Sequence, residues 1–360
     1  MTLTESYLRM AHLKSLLLVL ALATSGCAGT SGTTDATSTV SSDEVRLICD
    51  QDYMEAFTEL VNSAEGEVLI LQWEFFGGEA TAELIEVMAA AVERGVHVQV
   101  LLDDDIDENA DAIQWMTTRG IDAILDFDAS TKLHAKMVLK DSDTVMLGST
   151  NWSNPSIRSN RECNVVAHRP EATAYLKDWY QSLKTDPGDR EPPQLSQSSL
   201  DFTALVDDQL LSHLLDKIDS AESSIDFTLY ATWLQPNNAS APAMQVFEAL
   251  AAATERGVPV RGVADYSDWN NDNNDSNEDA VQWLRARGVE MRWEDAEITT
   301  HAKVFRIDTG LQLQSANISS GGLRWNREVA AWTTHEHVIR DINLWFEDLW
   351  GSSTLLTPDR

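Results

Sequence analysis

The 360-residue chain has few basic residues. It contains 26 Lys and Arg against 58 Asp and Glu, which gives a formal net charge of −32. A surface of this sign repels nucleic-acid phosphates, and the sequence shows no basic track that would guide a polyanion to a site. The composition therefore argues against a nucleic-acid partner, although a small basic pocket can still exist inside an acidic surface.

Apolar runs long enough to cross a membrane are absent near the N-terminus as well. The run Leu16–Ala23 is too short to span a bilayer. It follows the basic residues Arg9 and Lys14 and precedes the small residues Thr24, Ser25 and Gly26. This order is typical of a secretory signal peptide, which we place at residues 1–26, and it predicts an exported protein.

Cysteine is also scarce, with three in the chain. Cys27 follows Ser and Gly and resembles the acylated cysteine of bacterial lipoproteins, although Thr24 stands where that motif usually has Leu. The resemblance implies a lipoprotein of the bacterial cell envelope, anchored on the periplasmic or outer surface by a flexible tether at residues 27–43. An ordinary signal peptide with an incidental cysteine is the alternative. Cys49 and Cys163 either pair with each other or remain as two buried thiols.

An internal repeat organises the rest of the chain. Glu93–Val96 reads Glu-Arg-Gly-Val, and Glu255–Val258 repeats it. In both copies a helical pattern stops at the glycine, and strand patterns follow over His97–Leu102 and Pro259–Ala264. The alternation of helices and strands in each copy predicts an α/β fold.

Further elements match between the copies. Gly66–Trp73 and Ser224–Tyr230 have the pattern of strands, and Leu205–Ile218 has the pattern of a helix. A polar connector rich in proline interrupts the pattern between the copies. We therefore divide the chain into two similar halves at residues 44–195 and 196–360.

Polar motifs with two-residue spacing occur once in each half. His134 and Lys136 lie two apart in a strand-like run, so strand alternation would place both side chains on one face. One such match would be weak evidence, whereas two matches in register are strong evidence. The paired positions are His134 and His301, Lys136 and Lys303, Asp141 and Asp308, Ser149 and Ser315, Asn151 and Asn317, Asn160 and Asn326, and Glu162 and Glu328.

This duplicated pattern of His-x-Lys, Asp, Ser-x-Asn and Asn-x-Glu resembles the signature of the phospholipase D superfamily. The resemblance covers the chain from about Val45 to Trp350, with Gln314 where the first half has Gly148 as a modest departure. It implies two similar α/β halves, each a mixed sheet flanked by helices, related by a pseudo-twofold axis with the active site between them. We expect a monomer that needs no metal or other cofactor.

The resemblance also implies a role for each motif residue. His134 is assigned as the nucleophile that forms a phosphohistidine and His301 as the general acid, and the reverse order stays open because the motifs are symmetric. The other assignments are phosphate clamps for Lys136 and Lys303, hydrogen bonds to the imidazoles for Glu162 and Glu328, and substrate contacts for Ser149, Asn151, Asn160, Ser315, Asn317 and Asn326. Asp141 and Asp308 follow their histidines at an odd offset, so we interpret them as structural.

Two acidic segments and several tryptophans lie near these motifs. Asp268–Asp275 begins like a calcium-binding EF-hand loop but lacks its Gly and Glu, so we predict a solvated acidic loop. Asp103–Asp105 has the equivalent place in the first half, and we hypothesise that both segments line the pocket mouth and screen out polyanions. Core packing explains most tryptophans, while a few could form an apolar rim for lipid; the candidates are Trp73, Trp152, Trp233, Trp269 and Trp325.

The preferred functional hypothesis is hydrolysis or exchange of a phospholipid headgroup at a membrane surface that the lipid anchor holds nearby. Transfer between phospholipids, as in cardiolipin synthases, is one alternative. A metal-independent phosphodiesterase on DNA or RNA is the second, since the same pocket chemistry could serve it. An inactive lipid-binding envelope lipoprotein is the third.

Overall fold

The structure is a computed structural model that describes residues 45–126, 128, 130–194 and 201–356. The predicted signal peptide, Cys27, the tether and the boundary between residues 195 and 196 lie outside the described residues. No helix in the described ranges is both long and apolar enough to cross a bilayer.

The first half forms a mixed seven-stranded sheet. Its strands are β1 (Val45–Cys49), β2 (Glu67–Gln72), β3 (His97–Leu102), β4 (Asp122–Leu125), β5 (Met137–Lys140), β6 (Thr144–Gly148) and β7 (Cys163–His168). The flanking helices are α1 (Tyr53–Asn62), α2 (Glu79–Glu93), α3 (Asp107–Thr117), α4 (Asn154–Arg158) and α5 (Pro170–Thr185). The strand order is β1-β7-β6-β5-β2-β3-β4, in which β2, β3 and β4 run parallel and the other pairs are antiparallel.

The second half repeats this architecture. Its strands are β8 (Phe202–Val206), β9 (Ile225–Leu229), β10 (Val260–Ala264), β11 (Glu290–Trp293), β12 (Val304–Ile307), β13 (Gly310–Gln314) and β14 (Val329–Thr333). The helices are α6 (Gln209–Asp219), α7 (Pro242–Glu255), α8 (Asn271–Arg285) and α9 (Glu336–Ser352). The order β11-β10-β9-β12-β13-β14-β8 is that of the first sheet, strand for strand. The prediction of two similar α/β halves is therefore confirmed.

The repeated helix stops have the expected backbone conformation. Gly95 ends α2 at a φ of 92°, and Gly257 ends α7 at a φ of 89°. Residues with a Cβ rarely adopt this left-handed conformation, which is why both copies use glycine here.

The helix predicted over Leu205–Ile218 is wrong in its first residues. Leu205 and Val206 belong to β8 and pair with β14. Asp207 then takes a positive φ of 49°, which breaks the chain direction before α6 begins at Gln209. Sheet pairing therefore overrides the helical pattern at this point.

The two sheets share one hydrophobic core. A single cluster of buried side chains contains Leu139 and Val165 from the first sheet together with Val304 and Leu313 from the second. Its continuity across the two sheets makes the halves one packed unit, so loops from both can build one site.

The two remaining cysteines form a disulfide between β1 and the start of β7. Of the two alternatives for Cys49 and Cys163, pairing is the one that the structure shows. Glu162 immediately precedes Cys163, so the crosslink lies beside one of the motif glutamates.

Candidate active site

The two histidines enter the site from extended segments ahead of the central strands. The strand predicted around His134 and Lys136 begins one residue after the lysine, so that prediction is wrong in its boundary. The His134 amide instead donates to the Arg327 carbonyl at 2.9 Å, and the His301 amide donates to the Arg161 carbonyl at 2.9 Å. Each histidine segment thus pairs with the segment that carries the glutamate of the other half.

The histidine and glutamate pairs therefore cross between the halves. His134 Nδ1 lies 2.8 Å from Glu328 Oε1, and His301 Nδ1 lies 2.9 Å from Glu162 Oε1. All four side chains are buried. The glutamates bind the imidazoles, as predicted, but each one orients the ring of the opposite half, so neither half contains a complete pair.

Burial keeps the two imidazoles neutral. It lowers the pKa of His134 to about 3 and that of His301 to about 4, against the opposing attraction of the glutamates. Burial alone would raise the pKa of Glu328, but His134 and Lys136 bring it below its usual value. With a proton on Nδ1 facing each carboxylate, Nε2 of each ring keeps the lone pair that a nucleophile needs.

The motif serines lie behind the glutamates. Ser149 Oγ donates to Glu162 and Ser315 Oγ donates to Glu328, and each hydroxyl also accepts the amide that follows its glutamate. Both serines are wholly buried. In this structure their hydroxyls fix the carboxylates, and the role as substrate contacts stays a prediction.

Two aspartates without a predicted role hold the backbone of the same glutamates. Asp50 and Asp207 have positive φ values of 55° and 49°. Their side chains accept the amides of Glu162 at 3.2 Å and Glu328 at 3.1 Å. An indole N–H donates to the second oxygen of each aspartate at 3.1 Å. The matching position of the two aspartates in the repeat was the signal that could have identified them.

The two lysines are buried beside their own histidines. Lys136 Nζ donates to the His134 carbonyl and Lys303 Nζ donates to the His301 carbonyl. Burial lowers the pKa of Lys136 to about 8 and that of Lys303 well below its usual value. An anionic phosphodiester between the two ammonium groups would favour their charged forms, which suits the predicted role as a clamp.

An aromatic ring packs on each histidine. The Trp73 ring lies 4.7 Å from that of His134, and the Tyr230 ring lies 4.4 Å from that of His301. The lysine of the same half lies over each aromatic ring, at 5.2 Å from Trp73 and 4.8 Å from Tyr230. The two aromatic residues are equivalent in the repeat, since each comes directly after the second strand of its half.

The motif asparagines fall into two groups. The Oδ1 atoms of Asn151 and Asn317 are buried and have no hydrogen-bond partner among the described residues. They are therefore available to a bound substrate. Asn326 Nδ2 instead donates to Glu328 Oε1 at 3.0 Å, and Asn160 contacts Ser156.

The first residue of the first acidic segment does not belong to the predicted screen against polyanions. Asp103 is wholly buried and accepts the amide of Leu133, the residue before His134, at 2.6 Å. Asp265 accepts the amide of Thr300, the residue before His301, at 2.7 Å. These two carboxylates position the histidine segments.

The second acidic segment, Asp268–Asp275, is not the predicted loop. Asn270 caps α8, which begins at Asn271, and the side chain of Asn273 donates to the Tyr230 carbonyl at 2.7 Å. Asparagine side chains that satisfy backbone groups explain why this polar stretch starts a helix.

The motif aspartates lie away from the histidines, as predicted. Asp141 accepts the Gly66 and Glu67 amides, and Asp308 accepts the Ser223 and Ser224 amides. Both aspartates therefore stabilise turns at the far ends of the strands.

The candidate tryptophans separate into buried and exposed groups. Trp152 belongs to the core. Trp233, Trp269 and Trp325 are exposed, and all three come from the second half. Trp269 Nε1 donates to Thr299, two residues before His301, so this indole lies close to the site.

Comparison with known proteins gives a consistent result. A family model described as cardiolipin synthase, PLD-like domain, matches residues 57–184 and 214–350. Cardiolipin synthase A of Pseudomonas aeruginosa is 32% identical over an alignment of 147 residues, and the match covers 37% of this chain and 29% of the relative. The chain thus matches less than a third of the length of that curated relative.

Solved structures share the fold at low identity. Phosphatidylserine synthase from Haemophilus influenzae Rd KW20 has a TM-score of 0.69 at 10% identity, covering 87% of this chain and 87% of that chain. Polyphosphate kinase from Porphyromonas gingivalis has a TM-score of 0.61 at 15% identity, covering 88% of this chain and 52% of that chain. Similarity at these identities concerns the fold alone.

Proposed function

Because this chain belongs to the cardiolipin synthase, PLD-like domain family of the phospholipase D superfamily, we propose that it transfers phosphatidyl groups through a phosphohistidine. The acceptor is an alcohol or water. The observation that carries the proposal is the pair of crossed, buried histidine and glutamate contacts beside two buried lysines.

In the first step, Nε2 of His134 attacks phosphorus and forms a P–N bond. The P–O bond to the departing headgroup alcohol breaks, and protonated His301 gives that oxygen its proton. His301 is neutral at rest, and the negative charge of the bound phosphodiester favours its protonation. Lys136 and Lys303 stabilise the charge that develops on the other phosphate oxygens.

In the second step, His301 takes a proton from water or an alcohol as that oxygen attacks phosphorus. The P–N bond breaks and His134 returns to its starting state. Water yields phosphatidic acid, while an alcohol yields a new phosphatidyl ester. Glu162 stabilises the imidazolium of His301 in both steps, because its carboxylate lies against Nδ1.

We also propose that the chain works at a membrane as an exported lipoprotein. The sequence pattern around Cys27 supports this location. A Cys27→Ser variant that still fractionates with membranes through detergent-sensitive attachment would overturn it.

The test of function uses mixed phospholipid vesicles with and without added glycerol. We expect the purified protein to release headgroups and form phosphatidic acid or a phosphatidyl alcohol, and His134→Ala to form neither. His97→Ala is the matched control, since His97 is exposed on β3. The proposal is contradicted if turnover persists in His134→Ala or if the wild type forms no lipid product. Degradation of a linear DNA included in the assay would indicate a nuclease.

A further inference from the structure

The two halves of the site differ in charge at a position next to the histidines. Trp73 and Tyr230 are equivalent because each packs on its histidine, and the following residues are Glu74 and Ala231. The residues after those, Phe75 and Thr232, form equivalent bridges to Trp152 and Ile318. The repeat therefore places a carboxylate in the first half where the second half has a methyl group.

Glu74 lies inside the charged cluster of the site. Its side chain is 9% exposed. The groups that affect its pKa come from both halves: Lys136 and Lys303 lower it, Glu162 raises it, and the Asn151 side chain also lowers it. Burial raises the pKa of Glu74 to about 7, with the lysines opposing this shift.

The neighbouring asparagine, Asn151, adds a second hydrogen-bond acceptor to this part of the site. Asn151 is buried, and its Oδ1 atom has no hydrogen-bond partner among the described residues. Two acceptor groups beside the phosphate clamp would disfavour another phosphate oxygen and favour a group that donates hydrogen bonds. An ammonium group would be repelled by Lys136 and Lys303, whereas a hydroxyl group would not.

We propose that Glu74, together with Asn151, is a specificity-determining residue that binds a hydroxyl-bearing group attached to the substrate phosphate. By binding that group on one side only, Glu74 fixes the direction in which a substrate lies across two otherwise equivalent halves. The inference rests on the proposed function, in which a phosphodiester lies between the two lysines.

Small phosphodiesters test this role without requiring lipid turnover. Methyl glyceryl phosphate and methyl propyl phosphate carry the same charge and differ in two hydroxyl groups. We expect titration calorimetry at pH 7 to show about tenfold tighter binding of the glyceryl ester to the wild type. This difference in affinity corresponds to about 1.4 kcal/mol, which is the size of one hydrogen bond. Glu74→Ala should bind both esters equally.

Matched variants guard against misfolding. Glu74→Gln keeps the volume and an acceptor oxygen, and we expect it to retain part of the preference. The double variant Glu74→Ala, Ala231→Glu places the carboxylate at the equivalent position, and we expect the preference to return. Thermal unfolding of each variant reports whether the fold is intact.

Two results would overturn the inference. The first is equal binding of the two esters by the wild type, which includes no measurable binding of either. The second is an unchanged preference in a folded Glu74→Ala variant. A wild type that prefers the glyceryl ester but acts on no phospholipid would contradict the proposed function and leave the binding role of Glu74 intact.

Discussion

The two halves reach the same geometry with different side chains. In the first half, Cys49 and Cys163 face each other across β1 and β7 and form a disulfide. In the second half the equivalent register pair is Val206 and Val329. Both pairs lie next to a motif glutamate and its supporting aspartate. A covalent bond and an apolar contact thus serve the same structural purpose, which shows that the position of the glutamate, rather than the chemistry that holds it, is common to both halves.

The largest effects should come from the crossed glutamates, and the reaction step that is slowed should differ between the halves. We expect Glu328→Ala and Glu162→Ala each to slow turnover by about 100-fold or more, because each removes the partner of an imidazole that the proposed mechanism uses.

A p-nitrophenyl phosphodiester separates the two roles, since nitrophenolate leaves without a proton. Rapid-mixing measurements should show a burst of nitrophenolate with Glu162→Ala, whose defect then lies in the second step, and no burst with Glu328→Ala. The opposite pattern would reverse the assignment of nucleophile and acid.

The disulfide should contribute stability that the valine pair cannot match. Cys49→Ala with Cys163→Ala should lower the free energy of unfolding by about 2–5 kcal/mol, because the unfolded chain loses its crosslink. Replacing both cysteines by valine should recover part of this loss by restoring an apolar contact. Urea titrations compare the variants, and equal stability of all three proteins would show that the crosslink is energetically neutral.

The aspartates that support the histidine segments should make stability depend on pH. Burial raises the pKa of Asp265 to about 7 and that of Asp103 to about 6. A raised pKa means that the folded state binds more protons than the unfolded state. The resulting contribution to folding stability is therefore complete below about pH 4 and is lost as the pH rises to 7. We expect Asp265→Asn to flatten the decline of the unfolding midpoint between pH 4 and 7 more than Asp103→Asn does. A larger effect of Asp103→Asn would contradict the larger rise in pKa at Asp265 than at Asp103.

The smallest effects should come from the helix stops, and they should be equal. A Cβ at Gly95 or Gly257 would contact nothing within 4 Å, so alanine introduces only backbone strain at positive φ. We expect each change to cost about 1 kcal/mol in thermal unfolding and to leave activity unchanged. Unequal costs would indicate that the two helix ends are not equivalent.

Much of this architecture follows from the sequence, because the repeat imposes it. The Glu-Arg-Gly-Val copies predicted both helix ends, and the paired motifs predicted which residues meet at the site. The odd offset of Asp141 and Asp308 correctly turned them away from the histidines.

Other features could not be predicted from spacing. The pairing of Glu162 with His301 depends on how the halves pack, and sequence distance carries no information about that. The contact of the serines with the carboxylates was not predicted, because their two-residue spacing fits a substrate contact as well as a contact to a carboxylate. Asp207 lay inside a predicted helix, and its match to Asp50 in the repeat was therefore overlooked.

The crossed pairs also bear on how such a chain could arise. A single half on its own would have a histidine without its carboxylate and a carboxylate without its histidine. It could complete the set only by associating with a second copy that lends the missing partner. Duplication and fusion make that association permanent, and from then on the two copies are free to diverge. The disulfide in the first half and the valine pair in the second half are an example of such divergence.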